Sequence, residues 1–154
     1  MNIYILAGGK APEGLGITYK GEFVFRGRTL AENVRQALAP LGDPKLVGGP
    51  APDLPGSEKL VDVLRSLVQH QPTGPMLLAA ADLPFLTTDS AQQFLSEVKP
   101  ATELAYPAVR TDAFDALYPG FHRTPLRLKE GEFTGGNLFW VQSEALGRLL
   151  PMME

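Results

Sequence analysis

The sequence predicts a three-layer α/β sandwich, a single domain over residues 1–154 with a mainly parallel sheet between two layers of helices. Three observations lead there. Short apolar runs of strand length alternate with segments whose apolar residues recur at helical spacing. The strand runs are apolar throughout rather than alternating with polar residues, as in a parallel sheet covered on both faces. The connections are rich in Gly (16) and Pro (14), together about a fifth of the 154 residues, against roughly 12% in average proteins.

Residues 2–7 (NIYILA) read as the first buried strand, ending at Gly8-Gly9. Pro12, Gly14 and Gly16 mark residues 10–20 as a long loop, and residues 21–27 suit a brief extended piece. Thr29 opens the first helix. Thr29-Leu30-Ala31-Glu32 is a capping box, Leu30, Val34, Leu38 and Leu41 form one stripe, and Pro40 and Gly42 close it. Residues 45–47 are the second strand, followed by Gly48-Gly49 and a Pro-rich loop. Ser57 is the expected cap of a second helix with Leu60, Leu64, Leu67 and Val68 turned inward. After a break over residues 72–75, residues 76–81 are the third strand, ending at Asp82. Thr87 or Thr88 begins a third helix with Ala91, Phe94, Leu95 and Val98 inward. Residues 103–109 are a fourth strand, which Pro107 confines to an edge or a strand end. Residues 112–118 suit a short helix, residues 126–129 and 138–142 are strands flanking residues 130–137, and residues 143–150 are a last helix. Phe133, Phe139 and Trp140 are expected in the core.

Composition excludes several classes of function. With 14 basic and 17 acidic side chains the net charge is −3, whereas a sequence-independent nucleic-acid binder needs a basic face. No cysteine is present, so disulfides, thiolate metal sites and Cys nucleophiles are ruled out. The apolar runs are too short to span a bilayer. The N-terminal run has no basic flank and stops at Gly8, unlike a signal peptide. A cytoplasmic protein without a membrane or nucleic-acid partner is expected. No Walker loop or GxSxG elbow occurs. Gly14-Leu15-Gly16 misses the dinucleotide fingerprint because Tyr19 stands where its third Gly belongs. His70 reads as an exposed helix end and His122 as a surface loop residue.

In sheets of this kind ligands bind beyond the carboxyl ends of the strands, which directs attention to Gly8-Gly9-Lys10, Asp82-Leu83-Pro84 and Gly135-Gly136-Asn137. Gly8 and Gly9 let backbone N–H groups approach phosphates. Lys10 and Lys20 supply point charges. Asp82, on a strand end before a proline, offers a hard oxygen for Mg²⁺. Each has a plainer reading: a tight turn at Gly8-Gly9, solvated lysines, a turn-capping Asp82, and a Gly135-Gly136 hairpin joining the last two strands.

Taken in order, Leu6-Ala7-Gly8-Gly9-Lys10, Lys20, Gly27-Arg28-Thr29-Leu30, Ala81-Asp82-Leu83-Pro84 and Thr134-Gly135-Gly136-Asn137 resemble the molybdenum cofactor guanylyltransferase-like NTP transferases. Those are nucleotidyltransferases with a Rossmann-like, glycosyltransferase-A-type sheet, the nucleotide-diphospho-sugar transferase type. The resemblance implies a phosphate loop at Leu6, Ala7, Gly8, Gly9 and Lys10, a catalytic Lys20, an Mg²⁺ ligand at Asp82, and an acceptor side at Gly135, Gly136 and Asn137. It implies Mg²⁺-dependent transfer of an NMP from an NTP, GTP or CTP, to a small phosphorylated or hydroxylated acceptor, with release of pyrophosphate. The chain departs from the family pattern twice. The loop's usual Arg position falls on Glu13, and the chain stops at Glu154 where members continue with another strand and a second acidic residue. A C-terminally truncated or catalytically degenerate nucleotide-binding module, or an interaction subunit pairing through an exposed sheet edge, for example as a homodimer, are the alternatives.

Overall fold

The computed structural model describes residues 1–71, 73–121 and 123–153; His122 lies outside them. The N-terminal half holds β1 (Asn2–Leu6), a hairpin of β2 (Val24–Phe25) and β3 (Arg28–Thr29), α1 (Leu30–Leu38), β4 (Pro44–Val47) and α2 (Leu60–His70). The remainder holds β5 (Pro75–Ala80), α3 (Thr88–Ser96), β6 (Leu104–Ala105), β7 (Ala108–Arg110), α4 (Thr111–Leu117), β8 (Leu126–Leu128), β9 (Gly131–Gly135), β10 (Leu138–Gln142) and α5 (Ser143–Leu149).

The main sheet has five strands in the order β4-β1-β5-β10-β6. β1 pairs in parallel with β4 and β5, and β10 enters antiparallel between β5 and β6. Successive side chains of a strand face opposite layers, and β1 divides accordingly. Ile3 and Ile5 pack with Leu77, Ala79, Val34, Leu38 and Ala91 under α1 and α3. Tyr4 packs with Met76, Leu78, Leu64, Leu67 and Leu146 under α2 and α5. Both helix layers of the expected sandwich are present. Trp140 is buried in the first cluster and Phe139 packs against the second, while Phe133 is half-buried in a separate sheet.

The helix signals hold at α1, where Thr29 Oγ1 accepts the Glu32 N–H at 3.2 Å and the Glu32 carboxylate accepts the Thr29 N–H at 2.8 Å. Thr87 caps α3 in the same way. Ser57 does not cap α2. The helix starts at Leu60 after Lys59, without a side-chain cap, and Ser57 Oγ accepts only the Lys59 N–H at 3.4 Å. Residues 56–58 line a cleft instead, so Leu60 is exposed, and the inward stripe is Val63, Leu64 and Leu67 with Val68 packed at its edge.

Two further expectations are corrected. The fourth strand is split at Tyr106-Pro107, with β6 in the main sheet and β7 in a second sheet of order β7-β9-β8, because proline has no N–H for a ladder. Gly135-Gly136 is not a hairpin turn. β9 pairs with β7 and β8, β10 with β5 and β6, and the chain runs straight from one sheet to the other. The Gly136 N–H donates to Pro107 O, and the Ala80 N–H to Asn137 O, both at 2.9 Å. Among the described residues no helix is long and apolar enough to cross a membrane.

Candidate functional site

A cleft of about 250 Å³ opens at the carboxyl ends of β1, β4 and β5. Leu6, Ala7, Gly8, Gly9, Lys20 and Asp82 all line it, opposite Ser57, Glu58 and Leu60. Residues far apart in sequence meet here because parallel strands deliver their carboxyl ends to one side of the sheet.

Glycines permit the close approaches around the cleft. A Cβ on Gly48 would lie 3.2 Å from Gly56 Cα and 3.3 Å from Gly8 Cα, and one on Gly56 would lie 2.7 Å from Gly48 Cα. Three loops thus cross backbone to backbone. Gly48 also has φ 72°, a conformation glycine adopts freely. Across the cleft Gly21 is buried against Ala81 and Ala31, which sets Lys20 beside Asp82. The Lys20 Nζ to Asp82 Oδ2 distance is 3.6 Å, with Lys20 about half and Asp82 about a third exposed. The Lys20 N–H donates to Gly9 O at 2.9 Å, and the Glu22 carboxylate accepts the Tyr19 N–H at 2.7 Å, so the backbone beneath the lysine is fixed.

Lys10, expected in the phosphate loop, does not line the cleft; its Nζ donates at 3.0 Å to Oε1 of Glu58, which does. That hydrogen bond, and then the charge behind it, holds the Glu58 carboxyl below the usual carboxylate range and raises Lys10. Glu58, Ser57, Gly21 and Gly56 were not legible as site residues. Only Gly56 carried a signal, as a glycine in a Pro-rich loop. Glu13 does not line the cleft; the loop's stem is closed by the Ala11 N–H to Thr18 O bond and its tip lies beyond.

The expected acceptor residues stand one strand further along. Asn137 is bonded through its carbonyl to Ala80, two residues before Asp82. None of Gly135, Gly136 and Asn137 lines the cleft. Gly135 has a different duty: a Cβ there would fall 1.5 Å from Tyr106 Oη, and the Tyr106 ring stacks on Phe139 with centroids 4.6 Å apart. Glu144 is no companion to Asp82. It lies in the first turn of α5 at the opposite end of the sheet, where its carboxylate accepts the Gly74 N–H at 3.3 Å. Among the described residues no group of three His, Asp or Glu side chains is placed to hold a metal ion.

No family model matches the chain and no curated protein matches it. Solved structures do. A CMP:2-keto-3-deoxy-manno-octonic acid synthetase complexed with CTP superposes with TM-score 0.67 at 12% identity, covering 99% of this chain and 78% of its own. The 2-C-methyl-D-erythritol 4-phosphate cytidylyltransferase of Thermus thermophilus gives 0.64 at 13%, covering 98% and 77%. The chain therefore has the fold of the nucleotidyltransferases. A hypothetical transferase from Thermus thermophilus is nearer, with TM-score 0.82 and 35% identity over 99% of this chain and 69% of that one. The chain belongs to the family of that transferase.

Proposed function

We propose that the chain is a nucleotidyltransferase that moves an NMP from an NTP, GTP or CTP, to a small phosphorylated or hydroxylated acceptor in the cytoplasm, within the molybdenum cofactor guanylyltransferase-like group. The carrying observation is the Lys20–Asp82 pair at 3.6 Å in a cleft that also exposes the Gly8-Gly9 backbone. In the reaction an acceptor oxygen attacks the α-phosphorus, a new O–P bond forms, the bond to the bridging oxygen of the β-phosphate breaks, and pyrophosphate leaves. The acceptor's proton, where it has one, passes to solvent. Such a step needs alignment and neutralisation of spreading charge more than covalent chemistry.

This reading gives each residue a role. Gly8 and Gly9 present backbone N–H groups without a Cβ in the way. Lys20 faces the phosphates across the cleft, and Lys10, next to Gly9 and paired with Glu58, lies within reach of their charge. Asp82 fits Mg²⁺: it is a partly exposed carboxylate at a rigid strand end, and this ion is commonly held by one or two carboxylates with phosphate oxygens and waters. Bound there, the ion would supply Lewis-acid polarisation of the phosphates. The acceptor side assigned to Gly135, Gly136 and Asn137 rests on the family resemblance, since none of the three lines the cleft.

The test is thermal unfolding with ATP, GTP, CTP and UTP, each with and without Mg²⁺, followed by pyrophosphate release with candidate acceptors. A ligand at 100 times its Kd adds about 2.7 kcal/mol, a rise of about 5–10 °C in a domain of this size. A Mg²⁺-dependent rise with one NTP is expected. No rise with any NTP overturns the reading, and binding without pyrophosphate release with any acceptor favours a degenerate module.

A further inference from the structure

A second cavity, of about 460 Å³, lies between the β2–β3 hairpin, α1 and the segment following Asp82. It shares no lining residue with the cleft. Its polar wall carries Arg26, Arg28, Asn33 and Gln36, and Phe25 and Phe85 stand beside them. Among the described residues no carboxylate lines it, although the chain as a whole has a net charge of −3.

The two guanidinium groups are held in place without being neutralised there. Arg28 Nη1 donates to Gln36 Oε1 at 2.7 Å, which leaves the Gln36 amide N–H groups as further donors. Arg26 lies over the Phe25 ring, its Cζ 5.2 Å from the centroid. Glu32 keeps its charge and feels Arg28 weakly, but its carboxylate is turned to the Thr29 N–H and hydroxyl at 2.8 and 2.9 Å and lies outside the cavity lining. The Thr87 and Thr88 hydroxyls are occupied by Ser90 Oγ and Ala37 O, so the two arginines and Gln36 carry the binding capacity.

The backbone gives an independent sign. Arg26 has φ 53°, the only positive φ at a non-glycine residue among those described, and Gly27 follows at 80°. A two-residue hairpin with both central residues in this region favours Asn, Asp or Gly at the first of them. A costlier side chain held there points to use of that side chain. Phe85 is 73% exposed and meets Phe25 edge-on, with centroids 5.6 Å apart. Its ring offers apolar surface next to the charges.

We propose that this cavity is a second anion site, taking a phosphate group, either free or as the ester of a small molecule. Arg26 and Arg28 supply the charge and fork-shaped donors suited to phosphate oxygens. Arg26 follows Lys20 by six residues and Phe85 follows Asp82 by three. A phosphate held between them braces the two segments that bring Lys20 and Asp82 together. The site does not depend on the nucleotidyltransferase reading.

The experiment is a ¹H–¹⁵N NMR titration of the whole chain with inorganic phosphate, with ionic strength held constant by chloride. Shifts are expected at the Arg26, Gly27 and Arg28 amides and at the arginine side-chain N–H groups, with a Kd of about 1 mM. Arg26→Asn and Arg28→Gln should each weaken binding by about tenfold, the loss of one charge-assisted bond. Arg26→Asn should also leave the Tm unchanged or raised, which separates lost binding from lost folding. Lys20→Ala should leave these shifts intact. Glycerol phosphate in place of inorganic phosphate distinguishes the sources: tighter binding assigns the site to an ester, equal or weaker binding to the free ion. Shifts confined to the Gly8-Gly9 and Lys20 region and abolished by Lys20→Ala would overturn the proposal. So would no shift at the hairpin up to about 20 mM phosphate.

Discussion

Gly21→Ala tests how the Lys20–Asp82 pair is set. The added Cβ would stand 3.2 Å from the Ala81 Cβ and 3.3 Å from the Ala31 Cβ, inside the 3.5–4.0 Å optimum for carbon pairs. Neither neighbour is a flexible side chain that swings away, so the backbone has to give by a few tenths of an ångström. Overpacking of one methyl costs about 1–3 kcal/mol, and the stiffer unfolded chain returns about 0.4–1 kcal/mol. The net loss is about 1–2 kcal/mol, a fall of about 3–6 °C in Tm for a domain of this length. The displacement falls on the residue after Lys20 and the residue before Asp82. Since misplacement by about 1 Å costs about 100-fold in rate, kcat/KM in a pyrophosphate-release assay should drop by about 3- to 10-fold. A variant with wild-type Tm and wild-type kcat/KM would refute the argument that Gly21 sets the pair.

Other changes reach the site from different sides. Asp82→Asn should remove the Mg²⁺-dependent part of the NTP-induced rise in Tm while costing the free protein at most about 1 kcal/mol, since the ion pair it breaks is partly exposed; an unchanged Mg²⁺ effect would remove Asp82 as the metal ligand. Gly56→Ala would place a Cβ 2.7 Å from Gly48 Cα, backbone against backbone; nucleotide binding should weaken in a fluorescence titration, and unaltered affinity would show that the loop crossing does not shape the cleft. Glu58→Gln should free Lys10 for the phosphates and tighten NTP binding, with the gain fading above about 0.5 M salt. Glu58 is held low, so its pairing is present above its unfolded pKa and is lost as pH falls through the folded value. Lys10 is held high, so its share is lost only as pH rises through its own folded value. On the acid side, therefore, wild-type affinity should converge on that of the variant, and parallel pH profiles would contradict the pairing. Thr29→Ala should lower stability by about 1 kcal/mol through loss of the α1 cap, read from thermal unfolding.

The layer architecture and the helix starts at Thr29 and Thr87 were legible because they rest on local physics: apolar runs, spacing, and side chains that satisfy the first free N–H groups of a helix. Asp82 drew attention because it follows a strand at the side where parallel strands converge, and Lys20 only through the family resemblance; the two line one cleft. Ser57 misled because a cap residue close before a helical stripe is ambiguous in sequence: here long-range packing of Gly56 on Gly48 holds the preceding loop against the cleft. Gly135 misled for the opposite reason. Its requirement comes from a ring 29 positions earlier in the chain, Tyr106, which no local pattern announces. Lys10–Glu58 and Gly21–Ala81 are likewise contacts across loops.

The reversal of direction at β10 has a practical outcome. Its first residue meets Ala79 near the cleft, and its last meets Pro75 at the far end of the sheet. Asn2, opposite Met76, starts β1 at that same far end, two strand spacings from Gln142, or about 10 Å. The start of α5, where the Ser143 N–H donates to Gly74 O at 2.9 Å, therefore shares that far end with the start of β1. A chain cut at the exposed tip near Gly14 would leave every pairing of the main sheet intact and place its new ends on the loop that follows Gly8-Gly9. A fluorophore attached there would report on ligand binding near the cleft, and an affinity handle on Met1, at the far end of β1, would leave the cleft facing solution.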